Sequence, residues 1–324
     1  MTKTSAASIS TCLALTAVPL FAGAEWEAVV LSNQTLRMTA FVPGGAESFY
    51  RGNRFVRCSM LDGVEAGGVA FYTRHYPGTH EPERHDAVCG PAEEFDLATP
   101  PPGYADSPDG LFLKIGVGVL QRPAGETEYV FHNDYEMSDP GVWTHEVRGA
   151  REIVFRHRAA LPGKTYGADY THRVVLDEND ARFKIIRTLK NTGSKAFSTR
   201  HYNHQFIRIG DTDIGPDYAL ELPFVANENH RFSYPLTETF WSPLTGYDNV
   251  TTNAFSVRCG GRVLHSATDL PIADFALYAT SRIICPEVFV DIALAPGEEK
   301  AWTTIFTLFS YTEEEEKTQR SQRK

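Results

Sequence analysis

The sequence predicts a large all-β fold. Apolar and polar residues alternate with period two in several runs, which is the pattern of half-buried or fully buried strands. Turn-forming segments separate these runs, among them Pro43-Gly44-Gly45 and Pro296-Gly297. No segment carries the period of a long helix. Many strands with a turn signal about every ten residues are typical of a sandwich or barrel, and they argue against a βαβ fold.

Individual elements follow from the same pattern. In 152–158 and 182–190, apolar side chains share one face opposite mostly charged ones, which indicates half-buried strands. Residues 302–309 are apolar on both faces, as in a fully buried strand. Residues 111–120 are predicted to form one apolar strand. Residues 81–110 are rich in Pro, Asp and Gly and are predicted to form a long loop, a common location of functional residues.

Composition bounds the class of protein. The chain has 324 residues, of which 42% are hydrophobic, and this is enough for a sizeable core. Its formal net charge is −10, whereas proteins that bind nucleic acid carry basic patches. No run approaches the roughly 20 apolar residues of a membrane-spanning helix. We therefore expect neither nucleic acid nor a membrane as a partner.

The two ends of the chain differ from the rest. Residues 1–24 contain Lys3, an apolar stretch and a final Ala22-Gly23-Ala24, the order of a secretory signal peptide. This predicts export to the periplasm or medium; an ordinary terminal strand or helix, in a cytoplasmic protein, is the alternative. Residues 313–324 are charged and lack apolar side chains, so we expect a frayed, disordered tail. Between them, 25–312 shows no linker and is predicted to be a single domain.

Four cysteines follow the predicted signal peptide: Cys58, Cys89, Cys259 and Cys285. In an exported chain they could form disulfides, and they could equally be buried as small apolar residues. Their spacing includes no C-x-x-C, and no histidine pair has helical ligand spacing, so no metal site is predicted.

The strongest candidate chemistry lies in two strands. Tyr202, Asn203 and His204 form a polar set within a predicted strand. Far along the chain, Glu287 is the single acid in the apolar run 283–290, where burial would raise its pKa towards the range of a useful base. His204 alone could be an ordinary structural histidine, and Glu287 could face solvent beside Pro286. Together they suggest an acid–base pair within a sheet.

Tyr202 and Asn203 are candidates for binding a ligand beside His204, and further polar side chains elsewhere are candidates too. Arg51 and Arg54 flank a glycine, and arginine forks suit hydroxyl-rich or carboxylate ligands. His85 lies in the predicted long loop. Lys114 lies within an apolar run, so it either reaches back to solvent or faces a cleft.

These pieces occur in an order that resembles the galactose mutarotase-like group, the aldose 1-epimerases and their relatives. The matching segments are Arg51-Gly52-Asn53-Arg54-Phe55, Tyr202-Asn203-His204, and Glu287 followed by Pro296-Gly297-Glu298. The resemblance implies a β-supersandwich of antiparallel sheets with a concave sugar-binding cleft. One departure is clear, because Cys89-Gly90-Pro91 stands where typical members carry a His-Gly-Gly loop.

The resemblance also implies an activity and a site. His204 would donate a proton to the ring oxygen of an aldose, and Glu287 would accept the proton of the anomeric hydroxyl. Such an isomerase needs no metal or other cofactor, and its partner is a mono- or oligosaccharide. Two alternatives share the fold: a non-catalytic carbohydrate-binding protein, and a lyase-like enzyme that uses the same two residues.

Overall fold

The structure is a computed structural model that describes residues 26–76, 78–97, 99–222, 240–243 and 253–311. The predicted signal peptide and tail lie outside these residues. Apart from a single 3₁₀ turn at Pro162–Lys164, the regular elements of the described chain are strands. In chain order they are β1 Ala28–Ser32, β2 Leu36–Phe41, β3 Leu61–Ala66, β4 Val69–Ala70, β5 Ala92–Phe95, β6 Leu111–Lys114, β7 Gly118–Gln121, β8 Glu136–Asp139, β9 Val142–Arg148, β10 Glu152–Ala160, β11 Gly167–Leu176, β12 Arg182–Asn191, β13 Phe197–His204, β14 Tyr218–Glu221, β15 Phe240–Pro243, β16 Asn253–Cys259, β17 Arg262–Thr268, β18 Asp274–Ala279, β19 Ile284–Leu294 and β20 Glu299–Ser310.

The strands form antiparallel sheets, which confirms the predicted all-β class. The largest has eight strands in the order β14-β16-β17-β20-β12-β11-β10-β9. A five-stranded sheet has the order β15-β18-β19-β13-β5. Two smaller sheets comprise β1 to β4 and β6 to β8. Among the described residues, no helix is long and apolar enough to cross a membrane.

The two large sheets pack face to face, with the main core between them. Phe95 of β5 lies edge-on to Tyr170 of β11, with ring centroids 5.3 Å apart. His201 of β13 meets Trp302 of β20 at 5.1 Å. Trp302, Phe306 and their buried neighbours belong to one continuous apolar cluster. The five-stranded sheet therefore has an inner face in this core and an outer face directed away from the large sheet.

The structure confirms the three predicted strands, which correspond to β10, β12 and β20, although β20 has one buried and one half-buried face rather than two buried faces. Two other predictions are wrong. The run 111–120 is not one strand, because it turns back at Gly116, whose φ is +74°, to give β6 and β7. The region 81–110 is not wholly loop, because it contains β5, which pairs with β13. The four cysteines are free and buried, so the disulfide alternative is not found.

Close backbone packing next to β5 requires a glycine. A Cβ built on Gly90 would lie 2.1 Å from the carbonyl oxygen of Gln205, the residue that follows β13. We therefore expect Gly90→Ala to lower the free energy of unfolding by about 1–3 kcal/mol, the usual range for overpacking. Denaturant unfolding measures this effect. Gly78→Ala is the matched control, since a Cβ there meets nothing within 4 Å, and equal midpoints for the two variants would contradict the argument.

Candidate active site

His204 and Glu287 lie opposite each other on neighbouring strands. His204 falls three residues after His201, which pairs with Val290, and three residues before Ile207, which bridges to Ile284. On the partner strand, Glu287 is three residues from both Val290 and Ile284, so this register places it opposite His204. The Nε2 of His204 is 3.2 Å from the Oε1 of Glu287, and both side chains are almost fully buried. The structure thus brings together the two residues predicted as an acid–base pair.

The ladder between β13 and β19 is interrupted at this pair, and a proline lies within the interrupted stretch. Ile207 and Ile284 exchange both backbone hydrogen bonds, at 3.2 and 3.0 Å. By strand alternation the nitrogen of Pro286 also faces β13, but it carries no hydrogen to donate. Glu287 lies on an interior strand rather than an edge, since β19 runs between β18 and β13. The proline therefore marks a gap in hydrogen bonding beside the candidate site.

Burial sets the charge of the pair. Desolvation raises the pKa of Glu287 to about 8, and the nearby Glu94 adds to this, while Arg54 opposes it. Desolvation also lowers the pKa of His204 well below its usual value, and Arg54 and His75 act in the same direction. At neutral pH the pair therefore consists of a protonated carboxyl and a neutral imidazole. One transferable proton is held beside one free proton acceptor.

Arg54 and Tyr202 form a polar cluster next to the pair. Tyr202 shares the outer face of β13 with His204, and its hydroxyl donates to Glu94 Oε2 at 2.5 Å. Arg54 Nε donates to the same oxygen at 2.9 Å, and its Nη2 donates to the Tyr202 hydroxyl at 3.2 Å. The guanidinium lies 4.4 Å from the ring centres of Phe55 and Phe131. The glutamate thus fixes both Arg54 and Tyr202 in orientation.

Lys114 is placed behind this cluster. Its side chain is fully buried, and its Nζ donates to the Phe95 carbonyl oxygen and, at 2.8 Å, to the Tyr129 hydroxyl. Glu94 Oε1 lies 3.7 Å from the same nitrogen. Burial lowers the pKa of Lys114, with Glu94 and Asp96 opposing the change. The ammonium group of Lys114 is therefore enclosed by these contacts, and it supports the cluster by lying beside Glu94.

Of the other two predicted binding residues, His85 lies near the Arg54 cluster, whereas Arg51 lies apart from the His204–Glu287 pair. His85 is partly exposed, with Nε2 3.6 Å from Asp86 Oδ2 and its ring 6.1 Å from that of His132. The charge of Arg54 contributes to lowering the pKa of His85, after the larger effect of burial, so His85 lies within electrostatic range of the cluster. Arg51 instead pairs with the exposed Glu83 and donates to the Ala46 carbonyl. The structure places no contact between Arg51 and the His204–Glu287 pair.

Asn203 points into the core, away from the pair. Strand alternation puts it on the inner face of β13, where its Oδ1 accepts from Arg187 Nη2 at 3.0 Å. Arg187 Nε donates to Glu93 Oε1 at 2.5 Å, and Tyr170 donates to the other Glu93 oxygen at the same distance. The predicted ligand role of Asn203 does not fit this position. Its contacts tie β13 to the large sheet instead.

Several residues of the site were not singled out from the sequence. His75 lies beside Asp86, with Nδ1 3.7 Å from Oδ2, and Phe206 stacks on His204 at 4.1 Å. Tyr278 of β18 meets His204 edge-on at 5.2 Å. Glu94 carried a weak signal, as one of two adjacent acids in the predicted loop. In the described ranges no group of three His, Cys, Asp or Glu side chains is arranged to hold a metal ion.

Comparison with known proteins supports the fold. No protein-family model matches the sequence, and a search of curated proteins finds no match. Among solved structures, the Slr1438 protein of Synechocystis sp. PCC 6803 superposes with a TM-score of 0.56 at 10% identity, over 88% of this chain and 96% of that one. A candidate aldose 1-epimerase from Klebsiella pneumoniae gives a TM-score of 0.50 at 13% identity, over 88% and 80% of the two chains.

These similarities define the class of fold. The chain has the all-β fold of galactose mutarotase-like proteins, and the resemblance drawn from its motifs is confirmed at this level. Identities this low establish a shared architecture and leave the chemistry of the site to be argued from its own residues.

Proposed function

We propose that this protein is a carbohydrate-active isomerase of the aldose 1-epimerase type, in which His204 and Glu287 exchange protons with the sugar without a cofactor. The observation that carries the proposal is the buried pair itself, with Nε2 and Oε1 3.2 Å apart. The raised pKa of Glu287 and the lowered pKa of His204 support it, because they leave one donor and one acceptor at neutral pH.

The reaction fits a donor and an acceptor that lie side by side. The ring oxygen and the anomeric hydroxyl are bonded to the same carbon, so neighbouring groups can serve both. Neutral His204 accepts the hydroxyl proton, Glu287 protonates the ring oxygen, and the bond between the anomeric carbon and the ring oxygen breaks. After rotation of the aldehyde the protons return, and the ring closes as the other anomer.

With these protonation states Glu287 is the acid and His204 is the base, which is the reverse of the roles that the family resemblance implies. Ring opening converts the neutral pair into an imidazolium and a carboxylate, whose attraction offsets part of the cost of burying the two charges. The two assignments contain the same number of protons, so a pH–rate profile does not separate them. Infrared difference spectra do, since a protonated Glu287 has a carboxylic acid carbonyl band at neutral pH that Glu287→Gln removes.

The activity is tested by polarimetry with freshly dissolved aldoses. We expect the purified protein to speed the change in optical rotation, and His204→Ala and Glu287→Gln each to reduce kcat by about 100-fold or more, the contribution of a positioned acid or base. Arg51→Ala is a matched control that removes a polar side chain outside the pair and should retain activity. Full activity in either site variant would refute the roles, whereas sugar binding without turnover would favour a binding protein.

A further inference from the structure

Phe206 has a backbone conformation that bulky residues rarely adopt. Its φ is +45°, in the left-handed region. Three non-glycine residues in the described part of the chain have positive φ, and Phe206 is the one beside the candidate pair. Such a conformation is unfavourable in itself and persists only where the surroundings enforce it.

The surroundings of Phe206 hold this conformation from both sides. Its N–H donates to the Sγ of Cys285 at 3.3 Å, and its carbonyl accepts from the N–H of Thr73 at 3.1 Å. The next residue, Ile207, is fixed by its two hydrogen bonds to Ile284. The unusual φ therefore belongs to an ordered junction just after β13 ends at His204.

The result of this conformation is a flat contact with His204. The two ring centres are 4.1 Å apart and the planes are inclined by only 16°. Phe55 and Tyr278 contact the imidazole edge-on, at 5.9 and 5.2 Å, so Phe206 is the stacked neighbour. Phe206 is 1% exposed, and its ring excludes water from one face of the imidazole.

We propose that Phe206 is a positioning residue for His204, and that its strained backbone is retained because it lays the aromatic ring flat against the imidazole and so directs Nε2 at Glu287. The proposal rests on the proposed function in taking His204 as a proton-handling group. Five groups near His204 carry or exchange charge, namely Tyr202 on β13 itself, Glu287 on β19, Tyr278 on β18, and Arg54 and His75 on the preceding loops.

The test compares two identical substitutions in similar stacks. Phe206→Leu keeps an apolar side chain and removes the flat ring. Phe183→Leu does the same in the main core, where Phe183 stacks on Phe306 at 4.6 Å and 15°. We expect Phe206→Leu to raise the titration midpoint of His204, followed by NMR of its ring protons, because water reaches the imidazole. It should also reduce kcat by about ten- to a hundredfold with little change in KM, as misplacement of a reacting group does.

The control separates positioning from general loss of packing. Phe183→Leu should leave the titration of His204 and the kcat unchanged. An unchanged titration in Phe206→Leu would overturn the inference. If Phe206→Leu does not fold, the NMR spectrum of the wild-type protein provides the test. A stacked phenylalanine must shift the His204 ring protons upfield. Ring protons of His204 without this upfield shift would contradict the stack.

The NMR readout also separates this inference from the proposed function. It needs no sugar, so a shifted His204 titration in a protein that turns over no aldose supports the contact by which Phe206 shields the imidazole and refutes the isomerase. Conversely, an active enzyme in which Phe206→Leu changes neither titration nor kcat supports the isomerase and refutes the positioning role.

Discussion

Glu287→Gln is expected to make the protein more stable, and increasingly so as the pH rises from about 4.5 to about 8. Burial raises the pKa of this carboxyl from 4.5 to about 8, so between these values the folded state holds a proton that the unfolded state has released. Stability therefore falls with rising pH through this window. Glutamine removes the dependence, and the gain should reach the order of a few kcal/mol above pH 8.

Urea unfolding at several pH values measures this difference directly. The exposed Glu65 provides the control, because Glu65→Gln changes the same chemical group at the surface. The difference in unfolding free energy between Glu65→Gln and wild type should change little with pH. If Glu287→Gln shows the same flat difference, the carboxyl of Glu287 is ionised in the folded protein, and the neutral donor of the proposed mechanism is absent.

The combination of gained stability and lost turnover would identify Glu287 as functional. Residues whose burial opposes folding are retained where activity needs them. Substitution of a purely structural glutamate would lower the stability of the protein, because its hydrogen-bond partners would be left unpaired. The two measurements therefore test the role of Glu287 from independent directions.

The sequence predicts those parts of the fold that depend on local periodicity. Strands β10 and β12 follow from alternation, because each has one face in the core, and β20 follows from its apolar run, of which one face lies in the core. Alternation also separates Tyr202 and His204 from Asn203, which lies on the other face of β13. The predicted ligand role of Asn203 ignored that separation, and the structure places its amide against Arg187.

Contacts between distant segments of the chain could not be predicted from local sequence patterns. Glu93 and Glu94 were predicted to lie in a loop because the segment 81–110 around them is rich in Pro, Asp and Gly. In the fold they form part of β5, and each finds a cation on its own side of the sheet, Arg187 for Glu93 and Arg54 for Glu94. The closeness of His204 to Glu287 likewise depends on the register of β13 against β19, which the separate strand patterns do not determine.

The same long-range pairing makes Arg187 a residue whose loss should strongly destabilise the fold. It is fully buried, and its three nitrogens donate to Glu93, Thr304, Asn203 and the Ile185 carbonyl. Arg187→Met would leave the Glu93 carboxylate buried without its main counter-charge. We expect a loss of about 3–5 kcal/mol in the free energy of unfolding, the range for breaking one side of a buried ion pair.

The loss should depend on pH in a defined direction. Arg187 is the main group that keeps the pKa of Glu93 well below its usual value against the opposing effect of burial. Without the arginine this pKa rises, so protonation at acid pH relieves the unpaired charge. The destabilisation caused by Arg187→Met should therefore shrink as the pH is lowered from 7 towards the usual range of a glutamate.

Two comparisons by denaturant unfolding test how much the buried Arg187–Glu93 pair stabilises the fold. Arg158→Met removes an exposed ion pair with Asp169, 2.9 Å apart on β10 and β11, and should cost about 0–1 kcal/mol. The double variant Arg187→Met with Glu93→Gln should recover part of the loss, since it removes the unpaired charge together with its partner. Equal losses in Arg187→Met and Arg158→Met would show that the buried network contributes no more to the stability of the fold than an exposed ion pair does.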